Sequence, residues 1–306
     1  MLNRLWLCML STALLSGCSW FDWAEEDEDR AELARRVTAI QSPTTAPDVP
    51  QGETMGDRRL RDVYEKQQSL YRRLTTEGDQ LSDPENDRVI NEVMTEYQSY
   101  LADYPESVYG FILYGKMLRD VGRSEDANIA FVKANTLDPN IAVVKQQIGN
   151  FLAEEGEPAL ALAYYMAATE LEPSESVYFY QVGELLYTYR SELLATDALN
   201  ESMLEQQMVE AFAKAHLLDP YNRQLKQRYA ESFFDHKRPN WDAALQLWRE
   251  LAASTNDPFE QQWSKLQETR VLIALGRDSE ARQTLQSIND PSLLDAKALL
   301  SGQLGA

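Results

Sequence analysis

From about residue 58 onward, apolar residues recur every three to four positions with charged residues between them, the period of amphipathic helices. Leu60, Val63, Tyr64, Tyr71 and Leu74 mark a first helix. Asp83-Pro84 starts a second, because Asp can cap a helix and Pro fits its first turn. The apolar face of that helix is Val89, Ile90, Val93, Met94, Tyr97, Tyr100 and Leu101. The alternating pattern of a half-buried strand is not part of this reading, and an all-α body over residues 58–306 is predicted.

The helical region repeats itself. Pro105, Pro139 and Pro173 stand 34 residues apart. Gly115, Gly122, Ala127, Phe131 and Ala134 precede Pro139, and Gly149, Gly156, Ala161, Tyr165 and Ala168 precede Pro173 at the same offsets. The small residues allow two helices to approach closely, and the aromatic ring fills the wedge against the next unit. Gly122 and Gly156 suit a left-handed turn that ends the first helix, and the proline closes the second. This pattern resembles the tetratricopeptide (TPR) repeat, a pair of antiparallel helices with a period of 34. The resemblance covers roughly residues 75–300 and implies a right-handed superhelix of stacked helix pairs.

Later units depart from the pattern. Pro173 and Pro220 are 47 residues apart. Gly183 and Leu186 mark the first helix of a third unit, and Phe212 and Ala215 its second. The surplus around residues 190–207 is expected to lengthen both helices into a protruding hairpin. Leu193, Leu194, Leu199, Met203, Leu204 and Met208 would either zip the hairpin together or offer a docking surface, since methionine-rich patches adapt to partners. Tyr229, Ala230, Phe233, Ala244, Trp248 and Leu251 mark a fourth unit. Trp263, Leu266, Leu272, Gly276, Ala281, Leu285 and Ile288 mark a fifth. Asp290-Pro291 starts a capping helix through about Leu300. Its Leu293, Leu294, Leu299 and Leu300 either pack inward or leave homodimerisation open.

By the resemblance, the first helix of each unit lines a concave groove that holds a peptide or a partner helix. The exposed groove residues would include Tyr109, Lys116 and Arg119, then Gln146, Asn150 and Glu154. Tyr180, Glu184 and Tyr187 follow, then Gln227, Glu231 and Phe234. The clustered Lys and Arg with which one branch of the family clamps a terminal carboxylate are not among these.

The N-terminal 57 residues read differently. Arg4 precedes an apolar stretch, Leu5 to Leu15, which is too short to span a bilayer as a helix and follows the grammar of a secretory signal. Leu15-Ser16-Gly17-Cys18 resembles the bacterial lipobox. That likeness implies cleavage before Cys18 and acylation of its thiol (palmitate among the chains), with Ser19 favouring export to the outer membrane. Trp20, Phe21 and Trp23 could seat the anchor among headgroups or simply belong to the tether. The acidic run Glu25–Asp29 and the Pro- and Gly-bearing stretch 41–57 read as a disordered tether. The expected domains are a signal over 1–17, a tether over 18–57 and the helical body.

The chain carries 49 acidic and 29 basic residues, for a net charge of −20. That excludes a nucleic-acid binder, which needs a basic footprint. Its two histidines, His216 and His236, lie in different segments without ligand spacing, so no metal, cofactor or catalytic set is expected. The expectation is a lipid-anchored envelope protein, facing the periplasm, that binds one or more other envelope proteins. The alternative is a structural subunit of a larger pilus or outer-membrane assembly complex.

Overall fold

A computed structural model describes residues 54–77, 83–196 and 199–305. All regular structure among these residues is helical. The tether and Cys18 lie outside the described residues. The helices fall into two compact units that divide between Ala134 and Asn135.

In the first unit, α1 (Met55–Glu77) and α2 (Asp83–Asp103) form a pair, followed by α3 (Val108–Asp120) and α4 (Ser124–Leu137). Val63, Leu70 and Tyr71 of α1 are buried, as are Val93, Met94, Tyr97 and Tyr100 of α2. The pair is also joined by polar contacts. Lys66 bridges Glu96 at 2.5 Å, and Arg59 pairs with Asp103. Inside, the Tyr97 hydroxyl donates to Gln67, whose amide donates to the Tyr71 hydroxyl (2.8 Å), which donates to Asp120 on α3 (2.6 Å). Gln67, Tyr97 and the Tyr71 hydroxyl thus satisfy one another inside the pair, as burial requires. The helix ahead of residue 75 is therefore half of a full pair, so the array begins earlier than the repeat pattern indicates. Its small and aromatic positions do not match those of the later units.

The second unit continues with α5 (Ala142–Glu154), α6 (Pro158–Leu171), α7 (Ser176–Thr188), α8 (Arg190–Ala195) and α9 (Glu201–Leu218). Then come α10 (Arg223–Ser232), a 3-10 turn (Phe233–Asp235), α11 (Trp241–Ala253), α12 (Pro258–Ala274), α13 (Asp278–Gln286), a second 3-10 turn (Pro291–Leu293) and α14 (Leu294–Leu304).

The repeated residues act as their positions suggest. A Cβ on Gly115 would stand 2.9 Å from the Phe131 ring, and one on Gly149 or Gly183 only 2.6 Å from Tyr165 or Phe212. These glycines are where a ring from the second helix lies against the first. Gly122, Gly156 and Gly276 have φ of 79°, 79° and 69°. Each ends a first helix with the same bond pattern, seen in the donation from Arg123 N to Leu118 O, from Glu157 N to Leu152 O and from Arg277 N to Leu272 O at 2.8–2.9 Å. Pro139, Pro173 and Pro220 follow the ends of α4, α6 and α9.

The third pair differs from expectation. Its surplus does not lengthen α7, which stops at Thr188; a turn at Tyr189 leads into the short α8, and α9 carries the added length at its start. Leu193, Leu204 and Met208 are buried in the same core as Ala161, Leu162 and Phe212. The hairpin is folded inward because these apolar residues gain more by joining that core than by standing in water. Buried Glu205 locks it, accepting from Arg190 and from the backbone N–H of Lys237 (3.0 Å). Met203 remains exposed. At the end of the array, Leu293, Leu300 and Leu304 are buried, whereas Leu294 and Leu299 face out.

Candidate functional site

The residues singled out from the sequence divide between the two units. In the first, Tyr109 on α3 is 57% exposed. Lys116, one helical turn before Asp120, is largely buried, and that burial pulls its ammonium pKa down while Asp120 opposes the shift.

In the second unit, Asn150, Tyr180, Glu184, Tyr187 and Phe234 lie along one row made by the first helices of successive pairs. Side-chain contacts cross between neighbouring pairs at three places along this row. Asn150 Oδ1 on α5 accepts from the Tyr165 hydroxyl at 2.7 Å and from Gln181 on α7 at 3.2 Å. On α7, Glu184 accepts from Arg228 Nε of α10 at 2.5 Å. Arg228 also bonds Glu231 at 2.9 Å, and Glu231 accepts from Gln227 at 2.8 Å. The Arg228 guanidinium sits 4.9 Å from the ring centres of both Tyr187 and Phe212. Tyr180 meets Phe212 edge-on at 6.0 Å. Beyond α10, Phe234 lies 3.9 Å under the guanidinium of Arg270 from α12, beside Trp241 and Trp248.

The electrostatics follow from this packing. Burial, with Glu184 beside it, pushes the Tyr180 phenol up to about 12; burial and Asp235 do the same for Tyr187. Both stay protonated donors at neutral pH. Burial tends to discharge Arg228, but Glu184 and Glu231 outweigh it, so its pKa lies above the ordinary guanidinium value. Burial raises the carboxyl of Asp235 and lowers the guanidinium of Arg270.

Sequence reading missed Arg228, Asp235 and Arg270, and with them the cationic part of this face. Arg228 stands one residue off the expected register and reaches the row only because its long side chain crosses to α7. Arg270 had a readable signal: it lies six residues before Gly276, as Lys116 and Asn150 lie six before Gly122 and Gly156. His236 Nδ1 accepts from the Arg238 backbone at 3.0 Å within a turn, and His216 stacks on Tyr229.

Solved structures share this arrangement of stacked helix pairs. YrrB, described as a TPR protein with an unusual peptide-binding site, superposes with a TM-score of 0.55 over 67% of this chain and 97% of its own, at 14% identity. PilF of Pseudomonas aeruginosa gives 0.53 over 80% and 99%, at 16% identity. Naa15/Naa10 bound to HypK gives 0.53 over 82% of this chain and 34% of that one, at 14% identity. The chain has the tetratricopeptide-repeat fold. No protein-family model and no curated protein matches it in sequence. In TPR terms, the row from Asn150 to Arg270 is the first-helix face of four consecutive repeats. No helix among the described residues is long and apolar enough to cross a membrane.

Proposed function

We propose that this chain is a lipid-anchored cell-envelope adaptor, whose first-helix face in the second unit holds a segment of another envelope protein. The observation that carries the reading is the run of side chains on or just after successive first helices, Asn150, Tyr180, Glu184, Tyr187, Arg228, Phe234 and Arg270, with Arg228 bonded across to Glu184 and Arg270 over the Phe234 ring. It combines half-buried aromatic rings, protonated phenols and fixed charges, the side-chain types that dominate binding hot spots. YrrB, similar in fold, has a peptide-binding site by its description, which favours a peptide as the ligand. The role is holding rather than catalysis. The anchor is Cys18, at the end of the lipobox-like residues, and the outer membrane facing the periplasm is the proposed location. Tethering would raise the local concentration of the captured partner at the membrane.

A second reading, a structural subunit of a larger assembly, is favoured by exposed apolar residues away from this row. Leu217 is 71% and Tyr221 96% exposed, and Leu160 and Met166 stand out from α6. Two tests separate the readings. Cys18→Ala should move the protein from the membrane fraction to the soluble one; retention there refutes the anchor. A photo-crosslinking residue at Tyr187 should capture a partner in the native envelope, and one at Leu217 should not. The opposite outcome favours the subunit.

A further inference from the structure

The charges at the α10–α12 end of the row do not balance one another by contact. Arg228 is engaged twice, by Glu184 and Glu231. Arg190, the other guanidinium near Asp235, is engaged by Glu201 and Glu205, and meets Asp235 only at its backbone oxygen (3.4 Å). Two half-buried ions are left over. Asp235 has no hydrogen bond or ion pair to its carboxylate among the described residues, although Arg228, Arg190, Arg270 and Glu231 all act on it through space. Arg270 bonds one uncharged partner, Gln267 Oε1 at 2.6 Å, and rests one face on Phe234. That leaves guanidinium donors without an acceptor among the described residues, since the group carries five.

Partial burial of a charge without a partner is costly. Here two such charges of opposite sign, which act on each other through space, lie at the same end of the proposed binding face. They do not pair with each other, so a third body offering both signs would satisfy them together. We propose that this end of the face recognises its partner by two opposite charges, an Asp or Glu side chain on the Arg270 guanidinium and a Lys or Arg side chain on the Asp235 carboxylate. Phe234 packs against the Arg270 guanidinium, 3.9 Å from its ring centre, and the planar fork of that group suits a carboxylate. Such a pair selects sequence and register more than it adds raw affinity. The inference rests on the reading that this face holds a protein segment.

The test is a positional-scanning library of octapeptides, acetylated and amidated to remove terminal charges, panned on the full chain in detergent. The native chain should enrich Asp or Glu at one position and Lys or Arg at another, by about tenfold each, as a charge-assisted contact would give. Arg270→Gln should erase the acidic preference and keep the basic one; Asp235→Asn should do the reverse. Arg270→Glu should replace the acidic preference by a basic one, a switch that an unfolded protein could not produce. Enriched peptides without charge preference, or preferences indifferent to these substitutions, would overturn the inference and leave the binding face intact. Enrichment of no peptide by the native chain would count against both.

Discussion

In α5/α6 the close approach is made by Gly149 under the Tyr165 ring, and the face of α5 carries mainly Asn150. In α10/α11 Ala230 and Trp248 occupy the matching places, both fully buried, and the first-helix face carries Arg228, Glu231, Phe234 and Asp235. The second pair keeps the repeat code almost letter for letter; the fourth loosens it. The indole N–H of Trp248 is buried without an acceptor among the described residues, a cost that the glycine–phenol pair avoids through the Tyr165–Asn150 bond. The code therefore describes how helices pack, and it is faithful where little else is asked of the pair. Where the face bears charge, packing has been rebuilt around it.

Removing the large ring should break the loosened pair most. Trp248→Ala is expected to destabilise the chain by about 3–5 kcal/mol, the range for deleting a buried aromatic. Chemical denaturation checks it, and Tyr165→Ala should cost the same or less because Tyr165 retains a polar rim. Filling the glycine niche attacks the regular geometry from the other side. Gly183→Val should cost about 1–3 kcal/mol through overpacking against Phe212, whereas Ala230→Gly should be milder.

Charge distinguishes the pairs further. Arg228→Ala should cost about 1–3 kcal/mol, since it strands Glu184 and Glu231, which are only partly exposed; Arg228→Met should recover part by restoring packing without the charge. Double-mutant cycles with Glu184→Gln would measure the coupling. Gly156→Ala, at φ of +79° with open space around it, should cost about 1 kcal/mol from backbone strain alone.

The smallest effect expected is pH-dependent. Burial raises the folded carboxyl of Asp235 above its unfolded value. The unfolded chain therefore ionises first, and stability falls as pH rises through the carboxylate range. Asp235→Asn should melt slightly above the native chain at pH 7, and the gap should close on acidification below the unfolded carboxylate value. A constant gap would place the effect elsewhere.

Much of this was readable in the chain, because glycines, prolines and rings at a 34-residue spacing encode packing that is local to one pair. The left-handed ends at Gly122 and Gly156 follow from that spacing, whereas the cap after Asp290 was read from Asp290-Pro291 and the first-helix residues Asn150, Tyr180, Glu184, Tyr187 and Phe234 came from the family resemblance. Legibility ended where long side chains cross between pairs. Arg228 reaches Glu184 across 44 positions, and Glu205 is buried by residues 15 and 32 positions away. Periodicity carries no trace of such pairs. The surplus in the third unit was visible as length, but its inward fold depended on Leu193, Leu204 and Met208 finding a core already built by α6 and α7.

Hydrogen exchange on the full chain, with and without the partner captured at Tyr187, tests the central claim most directly. The account predicts that added protection falls on α7, α10 and α12, strongest around Glu184, Arg228 and Arg270. Protection falling instead on the outer side of α6 and the end of α9, near Leu160, Met166, Leu217 and Tyr221, would contradict it.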